Sequence, residues 1–275
     1  MKKLALLVLF LLVTVSSFSP AFAGDRLRLS TTTSTENSGL LDVLLPPFEK
    51  TYNTKVDVIP VGTGKALKLA ENGDVDVTLV HARPLEDRFV RDGYGVNRRD
   101  VMYNDFVIIG PTSDPAGIRP TKTAADAFKK IALAQNTFIS RGDNSGTHVK
   151  ELAIWKTAGE KPSGGWYLEA GKGMGGVLVM AHEKDAYTLT DRGTYLAFSA
   201  RKEINLPVLF EGDPILFNPY GIIAVNPAKH PQVNYVKAMA LIGWVTSRQG
   251  QKIIREFGKD RFGKPLFIPV AVPSP

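Results

Sequence analysis

No cysteine occurs in the 275 residues, which excludes disulfides, thiolate metal sites and a lipid-modified N-terminal cysteine. Histidine is scarce as well. His81, His148, His182 and His230 show no paired spacing of the H-E-x-x-H kind, so no histidine-built metal centre is expected. After the first two dozen residues there is no apolar run approaching the ~20 residues that a membrane span needs. Basic residues are not gathered into runs, which argues against a nucleic-acid-binding stripe. Internal repeats and low-complexity segments are absent too.

What is present begins at the N-terminus. Lys2 and Lys3 precede LALLVLFLLV (4 to 13), and a small-residue stretch ends in Ala21-Phe22-Ala23. A charged start, a short apolar core and an A-x-A site predict a secretory signal over residues 1–23, cleaved after Ala23. The signal carries two of the 34 basic residues and none of the 27 acidic ones, so the mature chain is +5. A weak positive field favours small anions on approach. A cysteine-free exported chain suits the bacterial periplasm. Its length is enough for one large domain or two ordinary ones.

Strand-like runs alternate with helical ones, which predicts α/β layers around a largely parallel sheet. LRLS (27 to 30), KVDVIPV (55 to 61) and VDVTLV (75 to 80) read as strands. SGLLDVLLPPFEKTY (38 to 52) and KALKLAENG (65 to 73) read as helices. YNDFVIIGP (103 to 111) and PYGIIAVNP (219 to 227) read as two crossings between lobes. The predicted layout has residues 24–105 plus 219–275 as lobe 1 and 106–218 as an inserted lobe 2, with a hinge and a cleft between them.

Ligands of open α/β sheets bind beyond the carboxyl ends of strands. LRLS is followed by TTTST, KVDVIPV by GTGKAL, and TFIS (137 to 140) by RGDNSGTH. Each loop offers hydroxyls and free backbone N–H groups where a helix begins, which suits an anion. Taken singly, such hydroxyls are equally ordinary N-caps; three at corresponding places favour binding. Arg141 adds a permanent charge and a two-pronged donor, the alternative being a surface ion pair with Asp143. GTGKAL is not a Walker motif, because Ile59 and Ala66 stand where glycine and Ser/Thr are needed. Ser145 lies outside the G-x-S-x-G frame.

In combination, TTTSTENSGLLDVLLPPFEK, VGTGKALKLAENGDVDVTLVHAR, YNDFVIIGP, RGDNSGTH and YTLTDRGTYLAF resemble the tungstate-binding components of bacterial tungstate importers, a family of periplasmic oxyanion-binding proteins. The resemblance implies a type II periplasmic binding protein fold, two α/β lobes joined by a two-stranded hinge with the ligand in the cleft. It implies a monomeric, non-enzymatic receptor without cofactor, which delivers tungstate or molybdate to an inner-membrane ABC permease. Carried over residue by residue, the anion contacts fall on Thr32, Thr33, Thr63, Arg141, Ser145 and Thr147, with Ser34 and His81 as further candidates. Lys172 stands in GKGMGG where the family leads one to expect glutamine.

Selectivity has a physical reading beside this. Phosphate carries a proton at neutral pH, and phosphate receptors of the related pattern meet it with an aspartate after the third strand. His81 takes that place here. A site made only of donors suits tungstate, molybdate or sulfate and penalises phosphate by ~1–3 kcal/mol for the unpaired O–H. Size must separate tungstate from sulfate. The alternatives are a phosphate or sulfate receptor on the same scaffold, or a secreted hydrolase using Ser145 and His148.

Overall fold

The computed structural model describes residues 25–263 and 265–271; the signal read over residues 1–23 lies outside them. β1 (Asp25–Thr32) leads into α1 (Thr33–Ser38) and α2 (Leu40–Tyr52). β2 (Thr54–Val61), α3 (Thr63–Asn72), β3 (Val77–Val80) and α4 (Arg83–Arg91) follow. A long β4 (Gly95–Ile109) carries the chain to α5 (Ala124–Ala134), β5 (Phe138–Ser140), α6 (Gly146–Ala158), β6 (Tyr167–Glu169) and α7 (Met174–Glu183). Then come β7 (Thr188–Asp191), α8 (Arg192–Ala200) and β8 (Val208–Phe210). β9 (Phe217–Val225) precedes α9 (Tyr235–Thr246), α10 (Arg248–Glu256), α11 (Lys259–Phe262) and β10 (Ile268–Pro269). No helix among the described residues is long and apolar enough to cross a membrane.

The first sheet runs β10-β4-β9-β3-β1-β2. β1 is parallel to β2 and β3, but β9 is antiparallel to both β3 and β4. The expectation of a largely parallel sheet is therefore corrected to a mixed one. Parallel pairing holds where helices cross between neighbouring strands; it fails at β4 and β9, which traverse the molecule in opposite directions.

β4 is shared. Up to Asp105, opposite Phe217, it pairs with β9; from Phe106, opposite Asp191, it pairs with β7. β8 also pairs with its end, while β5 and β6 form a parallel pair linked to this region by a bridge between Phe138 and Tyr187. Strand alternation splits the end of β4 between two cores. Phe106 and Ile108 pack with Phe128, Phe138 and Trp155 under α5 and α6. Val107 and Ile109 pack with Val177, Leu178 and Phe198 under α7 and α8. The first sheet is likewise covered on both faces, by Leu40, Leu44, Phe48 and Leu241 on one and by Ala66, Leu67, Ala70 and Phe89 on the other.

Candidate functional site

The carboxyl ends of β1, β2, β3 and β5 converge through their following loops. Thr32 ends β1 in extended backbone and caps α1, its Oγ1 accepting from the amide of Thr35 at 3.2 Å. The same oxygen lies 3.0 Å from Ser34 Oγ and 2.7 Å from Thr35 Oγ1. Thr33 Oγ1 is a buried atom with no partner among the described residues. It faces the start of α7, where a Cβ on Gly173 would lie 3.4 Å from it. Lys172, just before, is exposed.

Gly62 caps α3 without a side chain, and Thr63 follows at the first helical position. Thr63 Oγ1 accepts from the amide of Gly146 at 2.9 Å, tying the start of α3 to the start of α6. A hydroxyl that accepts one bond still has its own proton to donate.

The loop after β5 bends at Gly142 (φ 61°) and Asn144 (φ 56°). Glycine is required at 142 on space as well, since a Cβ there would come 2.7 Å from that of Glu169. The turn brings Asp143 back onto its neighbours. Asp143 Oδ2 accepts from Arg141 Nη2 at 2.5 Å, and its Oδ1 accepts from the amide of Ser145 at 3.1 Å. The ion pair offered by the sequence as a surface feature thus exists, but Arg141 is only 3% exposed. Arg141 Nε is buried without a partner among the described residues. A buried guanidinium with an unused N–H edge is costly unless something anionic completes it.

Ser145 caps α6, accepting from the amide of His148 at 3.2 Å. Of the first amides of α6, Gly146 is therefore taken by Thr63 and His148 by Ser145. Thr147 Oγ1 is buried and has no partner among the described residues. His148 does not form a dyad with Ser145. Its Nδ1 accepts from the amide of Asn144 at 3.0 Å, so the contact between the two residues runs through backbone, not from imidazole to hydroxyl.

His81 follows β3. Its Nε2 lies 3.2 Å from Ser34 Oγ and its Nδ1 2.9 Å from Asn218 Oδ1. The ring stacks on Tyr220. Burial lowers its pKa to about 4; the bond to Asn218 opposes this, and the charges of Arg141 and Lys150 add to it. The imidazole is therefore neutral at pH 7.

The eight residues taken from the sequence thus fall into linked groups. Thr32, Ser34 and His81 form one hydrogen-bonded set. Thr63 is joined to the first turn of α6, which carries Thr147 and is capped by Ser145. Arg141 joins that turn through Asp143 and lies within electrostatic reach of His81. Thr33 is placed by its approach to Gly173.

Sequence reasoning missed three contributors. Asn104 and Asn218 are register partners in β4 and β9, and Asn218 Nδ2 donates to Asn104 Oδ1 at 2.7 Å. Their one sequence signal was a polar residue inside each apolar crossing segment. The third is Asp191, in TDRGTY, where the sequence favours a helix cap or an ion pair over a ligand role. Asp191 caps α8, its Oδ1 accepting from the amide of Thr194 at 2.9 Å, and Arg192 pairs with Asp105. Asp191 is fully buried, however, and its Oδ2 has no partner among the described residues. Burial raises its pKa, against the bonds from Thr194 and the charge of Arg141. Two carboxylates thus lie near the donors expected of the cleft, Asp143 bonded to Arg141 and Asp191 within its electrostatic reach.

A profile of the PBP superfamily domain matches residues 20–249. The tungstate-binding protein TupA of Peptoclostridium acidaminophilum is 48% identical over 251 residues, 90% of this chain and 87% of that one. The protein of the same name from Campylobacter jejuni is 42% identical over 238 residues, 86% of this chain and 87% of that one. A crystal structure described as the tungstate ABC transporter from Geobacter sulfurreducens superposes with a TM-score of 0.78 at 65% identity, covering 84% of this chain and 98% of that one.

Proposed function

The chain belongs to the PBP superfamily and, within it, to the family of the tungstate-binding proteins it matches; from that premise we propose that it is a periplasmic receptor for tungstate or molybdate. It binds the anion without transforming it and passes it to an ABC permease in the inner membrane. Export through the signal at residues 1–23 and function as a monomer complete the reading.

The observation that carries it is Arg141, buried with Nε unpartnered among the described residues, beside a helix start whose Thr147 hydroxyl is likewise unpartnered among them. The anion is held from two sides. Thr32, Thr33, Ser34 and Thr63 donate from the lobe of residues 24–105 plus 219–275. Arg141, Ser145 and Thr147 donate from the lobe of residues 106–218. His81 acts behind Ser34. The lobes close on the ligand because only the closed form completes its shell, so binding energy and closure are the same quantity. β4 and β9, the two strands at the junction of the sheets, form the hinge.

Calorimetric titration with tungstate, molybdate, sulfate and phosphate tests the assignment. Tungstate and molybdate binding with silence toward phosphate is expected. A second reading, a phosphate receptor, has one observation in its favour: Asp191 Oδ2, without a partner among the described residues, can accept the proton of hydrogen phosphate. Phosphate binding stronger than that of tungstate would establish it in place of the first.

A further inference from the structure

Four buried side chains form a continuous row across the junction of the two sheets. Ser34 Oγ lies 3.2 Å from His81 Nε2, His81 Nδ1 lies 2.9 Å from Asn218 Oδ1, and Asn218 Nδ2 lies 2.7 Å from Asn104 Oδ1. None of the four residues is more than 5% exposed. Because a neutral imidazole that donates from Nδ1 must accept at Nε2, every member donates in one direction. Ser34 gives to His81, His81 to Asn218, and Asn218 to Asn104. The Ser34 hydroxyl has a single proton, and in this arrangement it is committed to the ring. The row ends on Asn104 Nδ2, a buried N–H group with no partner among the described residues.

The same heavy-atom positions admit the opposite polarity. A half-turn of an amide exchanges its oxygen and nitrogen, and a neutral imidazole carries its proton on either nitrogen. With both amides turned, Asn104 Nδ2 donates to Asn218, Asn218 to His81 Nδ1, and His81 Nε2–H to Ser34 Oγ. Ser34 then keeps its own proton to give to an oxyanion. The unpartnered buried N–H group is used, and the group left unpaired is a carbonyl oxygen, which is the less costly of the two.

We propose that His81 is a positioning residue whose tautomer reverses when the anion binds, from the Nδ1–H form of the row described above to the Nε2–H form, turning Ser34 from a donor to the ring into a donor to the ligand. This rests on the oxyanion-receptor reading above and adds to it the direction of every proton in the row. Asn104 and Asn218, one in each crossing strand, are the residues that reverse with it. Histidine suits the position because it relays a proton in either direction, which a carboxylate, accepting only, does not.

Nitrogen-15 NMR of protein labelled at its histidine side chains reads the tautomer directly, with calorimetry on the same sample and His81→Gln to assign the resonances. The expected result is an Nδ1–H pattern without ligand and an Nε2–H pattern at saturating tungstate. Ser34→Ala should still bind tungstate but lose the reversal. Asn218→Leu, which removes the partner of His81 Nδ1 and interrupts the row with Ser34 and His81 both retained, should weaken binding about tenfold, the worth of one buried hydrogen bond. Binding with an unchanged tautomer, or a reversal that survives Ser34→Ala, overturns the switch and leaves the receptor reading standing. Calorimetric silence toward tungstate and molybdate overturns both.

Discussion

The amide of Gly146 donates to Thr63 Oγ1 at 2.9 Å, and the ring of His81 fills the space where a side chain on that glycine would lie. A Cβ at 146 would come 2.8 Å from His81 Cε1 and 3.2 Å from its carbonyl oxygen. Two residues far apart in sequence thus fix how closely the start of α6 approaches the ends of β2 and β3.

Gly146→Ala should hold these elements apart. An overpacked contact costs about 1–3 kcal/mol, so oxyanion affinity should fall roughly five- to a hundredfold while secondary structure is retained. Calorimetry with small-angle scattering checks it. Unchanged affinity with an unchanged radius of gyration would show that the close approach is not needed for binding.

Arg141→Ala should weaken oxyanion binding by ~2–5 kcal/mol, as for other buried charge partners. Arg141→Lys should weaken it as well, because an ammonium cannot bond Asp143 and the ligand through one planar fork. Titration of both variants decides; full affinity in either would place Arg141 outside the ligand shell.

Thr147 and Ser145 should separate binding from stability. Thr147→Val removes a buried hydroxyl that has no partner among the described residues, so the ligand-free protein should lose no stability while affinity drops by ~1 kcal/mol. Ser145→Ala removes the cap of α6 and should cost ~1 kcal/mol of stability. Urea unfolding of the empty proteins makes the comparison. Equal destabilisation by both would contradict it.

The pH dependence of stability follows from buried groups of opposite sign. Burial lowers His81 from 6.5 to about 4. The unfolded chain takes up a proton where the folded one does not, so this contribution is present above 6.5 and lost as pH falls toward 4. Glu151 is raised by burial from 4.5 to about 7, against bonds from Tyr167, Ser140 and Trp155; its contribution is present below 4.5 and lost as pH rises to 7. Glu86, also raised to about 7 by burial despite Arg98, acts in the same direction. Between pH 4.5 and 6.5 the glutamates and the histidine therefore act in opposite directions. Relative to wild type, His81→Gln should shift the slope of stability against pH toward loss of stability with rising pH, and Glu151→Gln should shift it the other way. Identical slopes in the two variants would contradict the assignment.

The switch from strand to helix at Thr32, Thr63 and Ser145 was legible because it is written locally, in a hydrophobic run followed by hydroxyls and glycine. Arg141 was legible for the same reason. Its burial was not, since burial depends on elements brought in from elsewhere. β4 was only half seen. Its first part contains Arg98, Arg99 and Asp100, which do not read as a strand. They are carried in one by pairing with β9, and Arg98 meets the buried Glu86. The antiparallel crossings and the row from Ser34 to Asn104, whose links span 47, 137 and 114 positions, depend on partners remote in the chain, which no local pattern encodes. Asp191 was seen as a cap and missed as a neighbour of Arg141 for the same reason.

Diffraction from crystals grown with tungstate, collected at the tungsten absorption edge, tests the central claim most directly. One strong anomalous peak is expected within hydrogen-bonding distance of Arg141 Nε, contacted by hydroxyls from both sides of the cleft. A peak elsewhere, or none in crystals whose protein binds tungstate in solution, would contradict it.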